Sequence, residues 1–176
     1  MMKRNIIMVL TILISFVLQT TVFQFFNFGG IAPNLLIIVT ASYGFMLGRR
    51  YGMVVGFISG LLMDIFYGSV LGFYALIFLY IGAGNGVFHR VFYQNDIKLP
   101  LALITVSDLL YSFVCYVLLF LLRGRFQFGF YFKSVILPEI VYTIFVTVFL
   151  YPVILLLNRT PDDADKRSDH WFAKKN

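Results

Sequence analysis

Charged residues are scarce in this chain. Asp, Glu, Lys and Arg make up 12% of its 176 residues, whereas a soluble domain carries roughly a quarter. The mean hydropathy is +0.88, which excludes an ordinary water-soluble domain. Cysteine is almost absent: Cys115 stands alone in the middle of an apolar run. An intramolecular disulfide is therefore impossible, and no Cys/His pair has metal-ligand spacing. A cleavage site is missing too. Lys3 and Arg4 precede an apolar run, as in a signal peptide, but the run is long and no small-x-small tripeptide follows at Gln19 to Gln24. This predicts an uncleaved first span. Gly82, Gly84 and Gly86 lack the Lys-Ser/Thr pair of a phosphate loop. The net charge is +6, yet no soluble domain exists to carry a basic face, so nucleic-acid binding is excluded.

What is present is apolar sequence in six runs: Ile6–Phe26, Ile31–Leu47, Gly52–Tyr67, Val70–Phe88, Leu99–Leu122 and Ser134–Leu157. A straight span takes about 17–25 residues. The second run is at the lower limit and the third, with 16 residues, falls just below it. Arg49 and Arg50 lie between them and can snorkel to the interface, so a two-helix hairpin fits; a re-entrant pair is the alternative. The expected fold is an all-α integral membrane protein. It is a compact bundle of six transmembrane helices over residues 1–158, followed by a polar, disordered tail at 159–176. With the N-terminus in the cytoplasm, only Arg123, Arg125 and Lys133 of the 14 Lys and Arg lie outside. Both termini are therefore expected in the cytoplasm.

The densest information lies between Pro33 and Gly72. Pro33 is expected in the first turn of span two, with Asn34 beside it as a cap. Gly52, Gly56 and Gly60 are four residues apart, and Asp64 follows at the same spacing. On a helix this forms one stripe, and glycines on a stripe let a second helix approach closely in lipid. The stripe is expected to be more sensitive to substitution than Gly82. Asp64 then points towards a helix–helix contact. Three roles are open to it: a hydrogen-bonding group for the turn at Gly68 and Ser69, a partner contact, or a ligand or proton site. Thr11, Ser15 and Gln19 share a face of span one and are expected to bond to other helices.

Two further acids fall in the spans. Asp108 shares a face with Tyr111, Ser112 and Cys115, and Glu139 one with Tyr142, Thr143 and Thr147. Topology places Asp64 and Glu139 in the outer half and Asp108 near mid-membrane. No intramembrane Lys or Arg faces them in the sequence, so they must bond to polar groups or be protonated. No His or Ser nucleophile is expected at their depth, which argues against an intramembrane enzyme. In the outer loop Phe126, Phe128, Phe130 and Phe132 alternate. An extended segment would put all four on one side, to dip into the outer leaflet or to meet another protein.

These motifs together resemble the rod shape-determining MreD family. The resemblance rests on Pro33-Asn34, on Gly48-Arg49-Arg50-x-Gly52, on Gly56-Phe57-x-x-Gly60-Leu61-x-x-Asp64 and on Gly68-Ser69-x-Leu71-Gly72. It covers about a quarter of the chain and does not extend to Asp108, Glu139 or the phenylalanine loop. It implies a non-enzymatic subunit of the cell-elongation machinery in the bacterial cytoplasmic membrane, with no cofactor and no metal. The implied partner is the bitopic protein MreC and, through it, MreB, RodA and a transpeptidase penicillin-binding protein. It also implies a fold similar to the substrate-binding subunits of energy-coupling-factor transporters, which supplies a rival reading: a vitamin-type transporter subunit. That reading needs a polar pocket, which Asp64 and Glu139 could line. It also needs an Ala-x-x-x-Ala docking motif, for which Thr11-x-x-x-Ser15 is a poor substitute. Handling of a lipid-linked wall precursor is a third possibility.

Overall fold

A computed structural model describes residues 2–25, 31–68, 70–91, 97–119 and 128–158. Among these residues the chain is helical, with no regular strand. Helix α1 (Met2–Val17) continues through a π-helical turn at Leu18–Val22 into the short α2 (Phe23–Phe25). Then come α3 (Leu35–Leu47), α4 (Arg49–Tyr67) and α5 (Phe73–Val87). A 3₁₀ turn at Phe88–Val91 leads on to α6 (Lys98–Leu119). The last helical stretch is α7 (Phe128–Tyr131), a π-helical turn at Phe132–Ile136 and α8 (Leu137–Leu157).

Four helical stretches are long and apolar enough to cross a membrane: Arg4–Val22, Arg49–Tyr67, Lys98–Leu118 and Phe132–Leu157. The third apolar run gains length because its helix starts directly after Gly48 and includes Arg49, Arg50 and Tyr51. At 1.5 Å per residue it reaches about 28 Å, close to the roughly 30 Å of a hydrocarbon core. The second loses length because residues 31–34 are not helical, so α3 has 13 residues. Helix α5 has 15.

The short α3 is the axis of the bundle. Twelve of its residues, Leu35 to Met46, are buried, and it packs against α1, α4, α5, α6 and α8. A helix surrounded by protein needs no polar face. Around it the usual arrangement of a soluble protein is inverted. Large apolar side chains such as Ile14, Phe66, Val141 and Phe149 face outwards, while Asn34, Ser59, Asp64, Asp108 and Thr143 are buried. In lipid the outward side chains cost nothing, and polar groups gather inside.

The phenylalanine loop departs from expectation. Phe126 lies outside the described residues, but Phe128 to Tyr131 form a helical turn that runs on into α8. The period-two pattern is therefore not an extended strand from Phe128 onwards. The backbone of a lipid-exposed segment must satisfy its own hydrogen bonds, and a helix does so where a lone strand cannot. Phe132 is exposed.

Candidate functional site

Asp64 sits where the glycine stripe ends, on the face of α4 turned towards α5, and is 2% exposed. Beyond it α4 stops at Tyr67, and the Gly68 N–H donates to the Asp64 carbonyl at 3.0 Å. Gly72 has a φ of 97°, a left-handed conformation that glycine adopts readily, and there the chain turns into α5. The first N–H groups of any helix lack intrahelical acceptors. Asp64 supplies them. Its Oδ2 accepts from the amides of Gly72 at 3.0 Å and Ala75 at 3.0 Å, and its Oδ1 from Tyr74 at 2.8 Å. For Gly68, the expectation that the side chain bonds the turn is thus corrected. The Gly68 amide is taken by a backbone carbonyl, and the free donors gather one turn later, at the start of α5. Ser69 lies outside the described residues.

The stripe before Asp64 is a backbone-to-backbone seam. A Cβ added at Gly60 would stand 2.5 Å from the Ala75 Cα and 2.5 Å from the Tyr74 carbonyl oxygen. At Gly56 it would run into the Phe78 carbonyl, and at Gly52 into that of Gly82. The seam is two-sided: a Cβ at Gly82 would meet the Gly52 carbonyl, and one at Gly86 the backbone of Arg49. Gly82 is therefore as confined as the stripe itself, contrary to expectation, because α5 runs antiparallel to α4 and lays its own small residues in the same contact. Gly84 faces away, with nothing within 4 Å of its would-be Cβ.

At the other end of α4, contacts appear that the sequence did not announce. The Arg4 guanidinium lies over the Tyr51 ring, 4.6 Å from its centroid, and hydrogen-bonds the Tyr51 hydroxyl. The His89 ring lies 2.9 Å from the Phe45 carbonyl and packs beside Gly48. Neither pair has a spacing that could have revealed it. Arg50 points outwards.

The remaining polar residues collect at the N-terminal end of α3. Pro33 stands just before the cap rather than in the first turn, and Asn34 is the N-cap, accepting from the Ile37 amide at 3.3 Å. Gln19 of the π turn accepts from the Leu36 amide at 3.1 Å, and Tyr43 donates to Thr11 at 3.2 Å, so the polar face of span one bonds to α3. The Asn34 amide donates to the Thr143 hydroxyl at 3.2 Å. On α6, Ser112 donates to Glu139 of α8 at 3.3 Å. Asp108, one turn before Ser112, is 0% exposed. It faces Thr143, yet neither of its oxygens reaches a partner with hydrogen-bonding geometry.

Two expectations about the acids change. Asp108 and Glu139 belong to one cluster despite their assigned depths, because Ser112 of α6 bonds to Glu139 of α8, and Thr143 of α8 bonds to Asn34 at the head of α3. Ser112 lies at their level. It hydrogen-bonds a carboxyl, with no histidine beside it among the described residues; His89 is at the opposite end of α3. A groove of about 470 Å³ between α5 and α6 is lined mostly by apolar side chains such as Leu76, Tyr80 and Leu110.

No curated protein and no solved structure matches the chain. A family comparison does: residues 2–160 match the family described as rod shape-determining protein MreD. That match takes in α1 through α8, the glycine seam and all three acids, Asp64, Asp108 and Glu139, alike. The chain therefore belongs to the MreD family and is a multi-pass membrane protein with a role in determining rod shape.

Proposed function

We propose that this chain is a non-enzymatic scaffold that holds the cell-elongation machinery together in the bacterial cytoplasmic membrane. Its residues 1–158 cross the membrane six times, with the short α3 and α5 as spans held inside the bundle and both termini in the cytoplasm. Its direct partner is the bitopic protein MreC, and through it the chain couples MreB to the peptidoglycan synthases RodA and a transpeptidase penicillin-binding protein. The block from Pro33 to Gly72 is the packing frame, Arg50 an interfacial anchor, and Phe132 on the exposed face a contact for lipid or partner.

One observation carries the reading. Asp64, the only acid of the motif block, has both oxygens tied to three amides at the start of α5 and is turned away from any open pocket. The seam beside it is closed by backbone contact. A rigid hairpin serves assembly; a substrate-binding subunit needs an open polar pocket. The transporter reading would have Asp64 and Glu139 line that pocket, but here Asp64 is turned to α5 and Glu139 to Ser112.

The test is purification from native membranes. Co-elution with a bitopic partner is expected, and co-elution with a small molecule in its place overturns the scaffold reading. The six-span topology has its own test, helped by the burial of the single native thiol. Gln127→Cys should react with an impermeant thiol reagent on intact cells, and Asn95→Cys only after permeabilisation. Labelling of Asn95→Cys from outside would overturn it.

A further inference from the structure

The cluster of Asp108, Ser112, Glu139 and Thr143 is used by nothing in the scaffold reading. Its chemistry is unbalanced. Two carboxyl groups stand on neighbouring helices inside an apolar bundle, joined through Ser112, which lies one turn from Asp108 and donates to Glu139. Ser112 reaches Glu139, and Thr143, which accepts from the Asn34 backbone amide, faces Asp108 without closing a hydrogen bond of standard geometry. Asp108 is completely enclosed, and both its oxygens lack a partner. A buried polar group left unmatched costs about 1–3 kcal/mol, and more when charged.

Nothing nearby supplies a counter-charge among the described residues. The titratable neighbours are Tyr111 and Cys115 on α6, Tyr74 on α5 and Tyr131 ahead of α8. None of these side chains can carry a positive charge. Helix α3 contributes only Asn34 at this level. Asp64 spends its oxygens elsewhere. Two ionised carboxyls facing one another without a cation in a low-dielectric interior are strongly disfavoured.

We propose that Asp108 and Glu139, with the Ser112 and Thr143 hydroxyls, form an intramembrane site for one positive charge, held as a shared proton or as a desolvated alkali-metal ion. All four side chains offer oxygen, the ligand type of hard cations. Among the described residues no group of three or more His, Cys, Asp or Glu gathers, so a transition metal is not the occupant. Glu139 is the more accessible of the two acids and Asp108 the enclosed one, so the charge enters past Glu139 and settles against Asp108. The cluster joins α3, α6 and α8, so the occupant fastens the C-terminal helices to the axis of the bundle. The proposal stands independently of which partner the scaffold binds.

The experiment uses the full chain in lipid nanodiscs. Infrared spectra at neutral pH are compared for wild type, Asp108→Asn and Glu139→Gln, and thermal midpoints are measured in sodium, potassium and choline chloride at equal ionic strength. Asn and Gln keep the size and one acceptor of each acid, so both variants should fold. A proton occupant gives the carbonyl stretch of a protonated carboxyl in wild type, lost in Asp108→Asn. An alkali-metal occupant gives no such band, but a midpoint that rises with sodium or potassium over choline, a rise that Asp108→Asn abolishes. Wild type with neither the band nor a cation response overturns the proposal. So does Asp108→Asn if it keeps whichever signal wild type shows.

Discussion

Asp64 and Asp108 are both buried carboxyls in one small bundle, and they could hardly be placed more differently. Asp64 accepts three amide hydrogen bonds from the start of α5. Asp108 accepts none of standard geometry. The region around Asp64 is built of backbone: glycines on α4 and α5 bring two helices into contact, and the acid closes the end of the seam. The region around Asp108 is built of side chains from three helices. Burial alone therefore does not define the role of an intramembrane acid. The donors around it do: a helix N-terminus fixes one acid as structure, while the lack of donors leaves the other open to a ligand.

The comparison is easiest to break at the seam. Gly60→Leu should have the largest effect, because its Cβ meets backbone that cannot rotate away. Overpacking costs about 1–3 kcal/mol where side chains can adjust, and here the expected outcome is loss of folded protein on size-exclusion chromatography and loss of rod shape. Gly82→Ala should also reduce folded yield, whereas Gly84→Ala should be neutral. Equal yields for Gly82→Ala and Gly84→Ala would mean the seam is not closed.

Next in size is Asp64. Asp64→Leu strands three amides, at about 1–3 kcal/mol for each unsatisfied group. Asp64→Asn can keep its oxygen towards Gly72 and Ala75 and lose only the Tyr74 bond. The Leu variant should fail to restore rod shape in a deletion strain. The Asn variant should restore it, with a lower thermal midpoint than wild type. The contrast is sharpened by Asp108→Asn, which removes a group that no amide supports. In choline chloride, without sodium or potassium, its thermal midpoint should match or exceed that of wild type. If Asp64→Asn and Asp108→Asn lower the midpoint equally, the distinction between the two acids is wrong.

The smallest effect is expected far from both acids. Tyr51→Leu removes the ring under Arg4 and should cost about 0.5–1 kcal/mol, the range for a cation–π contact with some solvent access. It should shift the thermal midpoint slightly and leave cell shape unchanged.

Some of this was written in the sequence in plain form. Six apolar runs announce a helical membrane protein because lipid admits few other backbones. Spacing of four placed Gly52, Gly56, Gly60 and Asp64 on one face, since helix periodicity is local. The position of Asn34 after a proline and before an apolar run marked a helix start. These signals need only neighbours in the chain.

The rest depended on which helices meet. That Gly82 faces Gly52 while Gly84 faces away follows from the register of an antiparallel pair, which neither helix encodes alone. Asp64 reaches Tyr74 and Ala75, not Gly68, because the turn at Gly72 folds the next helix over it. Asp108 and Glu139, 31 positions apart in the sequence, come together only because α6 and α8 pack side by side near the head of α3. A sequence determines periodicity, hydropathy and caps, which act within a turn or two. Pairing between faces is settled by the packing of the whole bundle, because each face has several apolar partners of nearly equal quality and only close packing selects among them.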